Sequence, residues 1–187
     1  MKNKYGQVRL GIQFFLASEA FFFVALIIAF LYYRNFSDSW VDSTQYLDAT
    51  KTGIFPFLLL SSSLTITWAA KGLAQQNRTK TISGLVLTLL LGITFMIGQG
   101  MEYAKLIQSE MTISQNIFGS AFFTLTGFHG LHVFIGLVIL SIMLWLALTD
   151  RLNKSTASAF AATEWYWHFV DVVWIIVFFI VYLMPIL

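Results

Sequence analysis

Five apolar stretches, at 10–33, 53–70, 82–103, 117–148 and 167–185, alternate along the chain with connectors rich in Asp, Asn, Lys and Ser. About 20 mostly apolar residues are enough for a helix to cross the hydrocarbon core of a bilayer. With no water there to satisfy the backbone, each peptide group must find its partner inside the protein, and a helix does this within the segment itself. No connector exceeds about twenty residues, which suits antiparallel neighbours in an up-and-down bundle. The fold expected is therefore all-α, a polytopic bundle of five transmembrane helices forming a single domain over 1–187. No internal repeat or low-complexity segment interrupts it.

Charge supports this reading. Charged residues make up 11% of the chain and hydrophobic ones 58%, where a soluble domain carries about a quarter charged residues. Nineteen Phe and six Trp suit an apolar bundle with interfacial belts. Disulfides, thiolate nucleophiles and iron–sulfur ligation are excluded, because there is no Cys. The formal charge of +2 gives no reason to expect nucleic acid as a partner. The first stretch is full-length and has no small-residue cleavage site behind it, so it is read as a retained span rather than a signal peptide.

Basic residues orient the bundle. Lys2, Lys4, Arg9, Lys71, Arg78, Lys80, Arg151 and Lys154 fall on one side and Arg34, Lys51 and Lys105 on the other, eight against three. The richer side is expected to be cytoplasmic, with the N-terminus there and the C-terminus outside. Asp38, Asp42 and Asp48 fall on the outer side but weigh little in this rule. Tyr32, Tyr33, Trp68, Tyr103, Trp165, Tyr166, Trp167 and Tyr182 lie near span ends, as interfacial anchors do.

Ionisable groups inside spans are costly and usually face a protein interior or a water path. Glu19 lies nine residues past Leu10, roughly 14 Å deep at 1.5 Å per residue. His129 and His132 are one turn apart on span four. Glu164, His168 and Asp171 share a helix face on span five. Depth places Glu19, His129, His132, His168 and Asp171 near one another, and one buried polar cluster running from Glu19 to Asp171 is expected. Gln99 and Glu102, at the outer end of span three, and Glu164 are read as interfacial polar groups.

Three chemistries compete for the cluster. A metal site is disfavoured because the Glu-x-x-His pair of di-iron bundles occurs nowhere and Glu164-x-x-x-His168 has the wrong spacing. A proton relay through carboxylate and imidazole remains open. So does a structural role in which these groups satisfy one another. Elsewhere the spans read as packing. Gly84, Thr88 and Gly92 line a face that admits another helix closely. Ser61, Ser62, Ser63, Thr65 and Thr67 can bond back to their own helix, and Pro56 suits a first turn. No catalytic residue set, phosphate loop or trustworthy haem-ligand arrangement appears.

Several segments carry a resemblance. Span one holds Ala17-Ser18-Glu19-Ala20-Phe21-Phe22-Phe23. Span four begins Gly119-Ser120-Ala121-Phe122-Phe123 and continues Thr126-Gly127-Phe128-His129-Gly130-Leu131-His132-Val133. Span five holds Glu164-Trp165-Tyr166-Trp167-His168-Phe169-Val170-Asp171. In this order, over nearly the whole chain, they closely resemble the signature segments of subunit III of haem–copper cytochrome c and quinol oxidases. Gln99 and Glu102-Tyr103 match that family's Gln and Glu-containing turn.

The resemblance implies an accessory subunit without cofactor of its own, which packs against subunit I and other oxidase subunits, with the haems and copper in its partners. It implies support of subunit I and of proton uptake in aerobic respiration. The family's carbodiimide-reactive Glu matches Glu19, and its His and Asp positions match His129, His132, His168 and Asp171. Longer members have seven spans; the five here match the last five, the pattern of some bacterial oxidases, so a bacterial plasma membrane is expected. Phospholipid is expected around Glu19 and span five. A stand-alone proton-coupled transporter would need a repeat or a broken helix, and a di-iron enzyme would need bound metal in the chain itself.

Overall fold

Five helices carry the chain through the computed structural model, which describes residues 2–37, 40, 53–109, 111–114, 116–152 and 156–186. They are α1 (Lys2–Phe36), α2 (Ile54–Ala74), α3 (Arg78–Gln108), α4 (Ile117–Leu148) and α5 (Ala157–Phe178). All five contain stretches long and apolar enough to cross a membrane, and there is no strand among the described residues. Lys51, Lys154, Asp38, Asp42 and Asp48, and the side chains of Lys2 and Lys4, lie outside what is described.

Helix ends extend past the apolar runs, because polar residues continue a helix wherever the backbone can. Helix α5 starts ten residues before the expected 167, so Glu164 sits about two turns inside it rather than at its mouth. Helix α4 occupies the expected 117–148. Two starts carry side-chain caps. Asn77 Oδ1 accepts from Lys80 N at 3.0 Å and Asn116 Oδ1 from Gly119 N at 2.6 Å, each satisfying a first-turn donor. Pro56 occupies the first turn of α2, where no intrahelical donor is needed. Beyond Phe178 the helix widens into a π turn, Phe179–Leu183, closed by Met184 N donating to Phe179 O at 2.8 Å.

Contacts at both ends set α1 and α5 running the same way, as the first and fifth helices of an up-and-down bundle do. Arg9 lies 5.3 Å from the Trp165 ring centroid at one end. Arg34 Nη2 donates to Met184 O at 3.3 Å at the other. Helices α2 and α3 form the tightest pair, because a Cβ added at Gly84 would stand 2.8 Å from the Ala69 backbone nitrogen. Such close approach is how helices gain contact where lipid removes the hydrophobic drive between them.

Helix α5 runs through the middle, touching α1, α2 and α4. Trp167 and Trp174 on it are among the largest fully buried side chains. The Trp167 indole fills a slot bounded by Gly92 and Gly136, and its Nε1 donates to Ser62 Oγ at 2.8 Å. Helix α1 leans mainly on α4 and α5. Only 11% of its most apolar part is buried within the chain, against 50% for α5. Its outward face carries Phe14, Phe21, Val24 and Ile28.

Candidate functional site

The expected single cluster resolves into two hydrogen-bonded networks and one isolated ring. The first network joins α1 to α4. Glu19 Oε2 lies 3.0 Å from His132 Nε2, while His132 Nδ1 lies 2.7 Å from the Phe128 carbonyl one turn back. A carbonyl only accepts, so Nδ1 carries a proton. Nε2 then either accepts from a neutral Glu19 carboxyl or, in a charged imidazolium, donates to a carboxylate. The pair holds one shared proton in both cases. Tyr166 OH, from α5, donates to the His132 carbonyl at 3.0 Å, and its ring stacks on Phe15. Phe22 and Phe23 wall the imidazole. The Glu19 side chain keeps 23% exposure and the His132 side chain 11%, so the pair lies just beneath the surface of the bundle.

The second network joins α5 to α2. His168 Nδ1 lies 2.8 Å from Ser63 Oγ, and the Ser63 hydroxyl donates to Asp171 Oδ2 in a short hydrogen bond. On the other side of the ring, Nε2 lies 3.3 Å from Thr67 Oγ1 and 3.8 Å from Glu164 Oε1. Asp171 is 2% exposed, and its Oδ1 has no hydrogen-bond partner among the described residues. Glu164 also lines a cavity of about 820 Å³ at the end of the bundle that carries the α1 N-terminus, together with Ala74, Arg78, Asp150 and Phe160.

His129 belongs to neither network. It is 1% exposed, stacks on Trp174 with centroids 4.7 Å apart, and meets Phe95 edge-on at 5.9 Å. Neither of its ring nitrogens finds a hydrogen-bond partner among the described residues, and neither does Trp174 Nε1. His129 and His132 lie one helical turn apart and both meet the Phe23 ring, but only His132 reaches Glu19.

At the opposite end of the bundle, Gln99 Nε2 donates to Glu102 Oε2 at 3.2 Å and Tyr182 OH donates to the same oxygen at 2.6 Å. Tyr103 OH pairs with Thr126 Oγ1 at 2.7 Å. Gln99 and Glu102 lie apart from the Glu19 region, and Gln99 is buried.

The sequence offers five hydroxyls on α2 that can bond back to their own helix, Ser63 among them. Ser61, Ser62, Thr65 and Thr67 do so; Ser63 instead bridges His168 and Asp171. Its spacing from Thr67, one turn along α2, was the available signal, since two hydroxyls on one face can meet an imidazole from a neighbour. Tyr182 and Tyr166, read as belt residues, are buried hydrogen-bond donors.

Among the described residues no group of three or more His, Cys, Asp or Glu is placed to hold a metal ion. The arrangement offers carboxyl–imidazole proton chemistry instead.

Comparison with known proteins gives a consistent result. The family model described as Cytochrome c oxidase subunit III matches residues 3–185. The chain is 40% identical over 188 residues to "Cytochrome c oxidase subunit 3" of Aedes aegypti, covering 94% of this chain and 68% of that protein. It is 36% identical over 186 residues to the protein of the same name from Rhipicephalus sanguineus, covering 94% and 70%. Against the Pongo abelii protein identity is 39% over 188 residues, covering 94% and 69%.

Proposed function

The chain belongs to the cytochrome c oxidase subunit III family, and from that premise we propose that it braces subunit I of its oxidase and supports proton uptake there. It is an accessory membrane subunit of a haem–copper oxidase, and the oxygen chemistry belongs to the complex of subunits in which it sits. Among the described residues no group of three or more His, Cys, Asp or Glu is placed to hold a metal ion, and we assign the haems and copper to partner subunits.

The Glu19–His132 pair carries this reading. A carboxyl and an imidazole sharing one proton, held between three helices and only partly covered, form a pair within which the proton can move with no change of net charge, and which becomes charged only when a further proton is gained or the shared one is lost. The scarcely buried apolar face of α1 is suited to a partner helix or to lipid chains, and subunit I is the partner we assign to this bundle. The eight-to-three distribution of basic residues favours the N-terminus in the cytoplasm, and we place the chain in a bacterial plasma membrane.

Purification of the tagged chain in mild detergent tests the partnership. Haem absorption in stoichiometric amount, lost when harsher detergent strips the chain away, is the expected result; a colourless single chain refutes it. For the supporting role, an oxidase lacking this chain is expected to assemble but to lose activity progressively during turnover. A deletion strain whose oxidase stays fully active over many turnovers overturns that role.

A further inference from the structure

We propose that Glu164, His168, Ser63 and Asp171 form a proton relay connecting the cavity at the N-terminal end of the bundle with the buried carboxyl of Asp171. The inference is separate from the uptake role of Glu19, which lies on another network, and its test reads the resting protein rather than turnover.

Geometry supplies each step. The cavity of about 820 Å³ reaches Glu164, so solvent has a path to that carboxylate. Glu164 Oε1 stands 3.8 Å from His168 Nε2, too long for a direct hydrogen bond and a distance at which one water bridges. On the far side of the same ring, Nδ1 lies 2.8 Å from Ser63 Oγ, and Ser63 in turn donates to Asp171 Oδ2. An imidazole gains a proton at one nitrogen and loses another from its second nitrogen, so the ring carries charge from the cavity side to the buried side without turning over.

The protons balance. In the starting state His168 carries a proton on Nδ1, which it donates to Ser63 Oγ, and Asp171 is a carboxylate accepting from Ser63. A proton arriving from the Glu164 side binds Nε2 and makes the ring an imidazolium. The Nδ1 proton then passes to Ser63 Oγ as the hydroxyl's own proton passes to Asp171 Oδ2. His168 is left neutral with its proton on Nε2, Ser63 donates back to Nδ1, and Asp171 is a neutral acid. One proton has entered and no charge has been created in the apolar interior. Thr67 favours the two later states, those with a proton on Nε2: its hydroxyl donates to the Ser63 carbonyl at 3.0 Å, so towards Nε2 at 3.3 Å it can only accept.

Asp171 is the end of the line. Its second oxygen has no hydrogen-bond partner among the described residues, and the nearest turn of α5 presents the buried Trp174. Loading and unloading therefore use the same route, which makes Asp171 a reversible proton store rather than one stage of a channel.

The test is hydrogen–deuterium exchange of the Asp171 carboxyl in the intact membrane-embedded oxidase, read by infrared spectroscopy and assigned by the signal missing in Asp171→Asn. Ser63→Ala is expected to slow that exchange about tenfold or more, and Ser63→Thr, which restores a hydroxyl, to return it close to the original rate. Glu164→Gln, at a half-buried position on the cavity wall, is expected to slow exchange without altering the carboxyl signal itself. Should Ser63→Ala fail to assemble, Glu164→Gln decides alone. Exchange at the original rate in either variant overturns the relay, as does an Asp171 that never shows a protonated-carboxyl signal across the accessible pH range.

Discussion

A methyl group at position 136 should be enough to loosen this bundle, and the reason lies in one indole. A Cβ built on Gly136 would stand 2.8 Å from both Cε3 and Cζ3 of Trp167 and 3.3 Å from Cε1 of Tyr166. Carbon atoms at rest keep about 3.5–4.0 Å between them, so the ring has to retreat by more than half an ångström. Retreat is blocked on its other side, where Gly92 lies so close that its own Cβ would meet Trp167 at 2.9 Å. Overpacking of this kind costs about 1–3 kcal/mol, and a rigid, 0%-exposed indole argues for the middle of that range. About 2 kcal/mol lowers the ratio of folded to unfolded chain roughly thirtyfold. The assay is reversible unfolding of the purified chain by increasing sodium dodecyl sulfate in mixed micelles, followed by circular dichroism. Gly136→Ala should unfold at a clearly lower detergent fraction. Trp167→Phe should by itself cost about 2 kcal/mol, through a smaller ring and the lost bond to Ser62. The two together should cost less than their sum by about 1 kcal/mol or more, since the shorter ring vacates the space the methyl needs. Strict additivity, or a Gly136→Ala variant as stable as the original, would refute the slot.

Three further outcomes follow from the geometry. Glu19→Gln keeps the shape of the side chain but leaves His132 with no proton-sharing partner, so infrared difference spectra should lose a carboxylic-acid or imidazolium signal assignable to the pair; no change in either region counts against the shared proton. Gly84→Leu should separate α2 from α3, because the added Cβ meets Ala69 backbone rather than a movable side chain; the expectation is loss of the chain from the purified oxidase, and normal stoichiometric recovery contradicts it. Asn116→Ala removes the cap on α4 and should lower stability by about 1 kcal/mol in the same detergent titration, with no measurable shift meaning that water or a neighbour replaces the cap.

Spans were legible in the sequence because bilayer thickness imposes a length and an apolar composition that nothing else in the chain imitates. The bounds of α4 follow directly, since Asn116 and the polar Thr149 stand at either end of a mostly apolar run that holds no Asp, Glu, Lys or Arg. The early start of α5 was within reach of the sequence, because residues 157–166 carry four Ala, the strongest helix former, beside Phe160, Trp165 and Tyr166. Pairing within the polar groups was legible only to the level of depth. Glu19 meets His132. His129, one turn earlier on the same helix, packs instead against Phe95 and Trp174, a choice between neighbours one turn apart that depth alone does not make. Ser63 escaped notice for a similar cause: a hydroxyl on a helix has a carbonyl always within reach, and only the position of α5 shows that this one is used elsewhere.

The partner that Glu19 needs lies 113 residues further along the chain. Ribosomes add roughly 5–20 residues per second, so a newly inserted α1 waits on the order of ten seconds before His132 has even been made. Helices α2 and α3, joined by three residues, can pair as soon as both have emerged. Among the described residues α1 leans mainly on α4 and α5, which follow α2 and α3 in the chain. The Glu19 carboxyl therefore spends that interval without the imidazole it pairs with in the finished chain. Synthesis slowed between α1 and α4 lengthens the exposure, and the yield of assembled subunit should fall with the length of the delay.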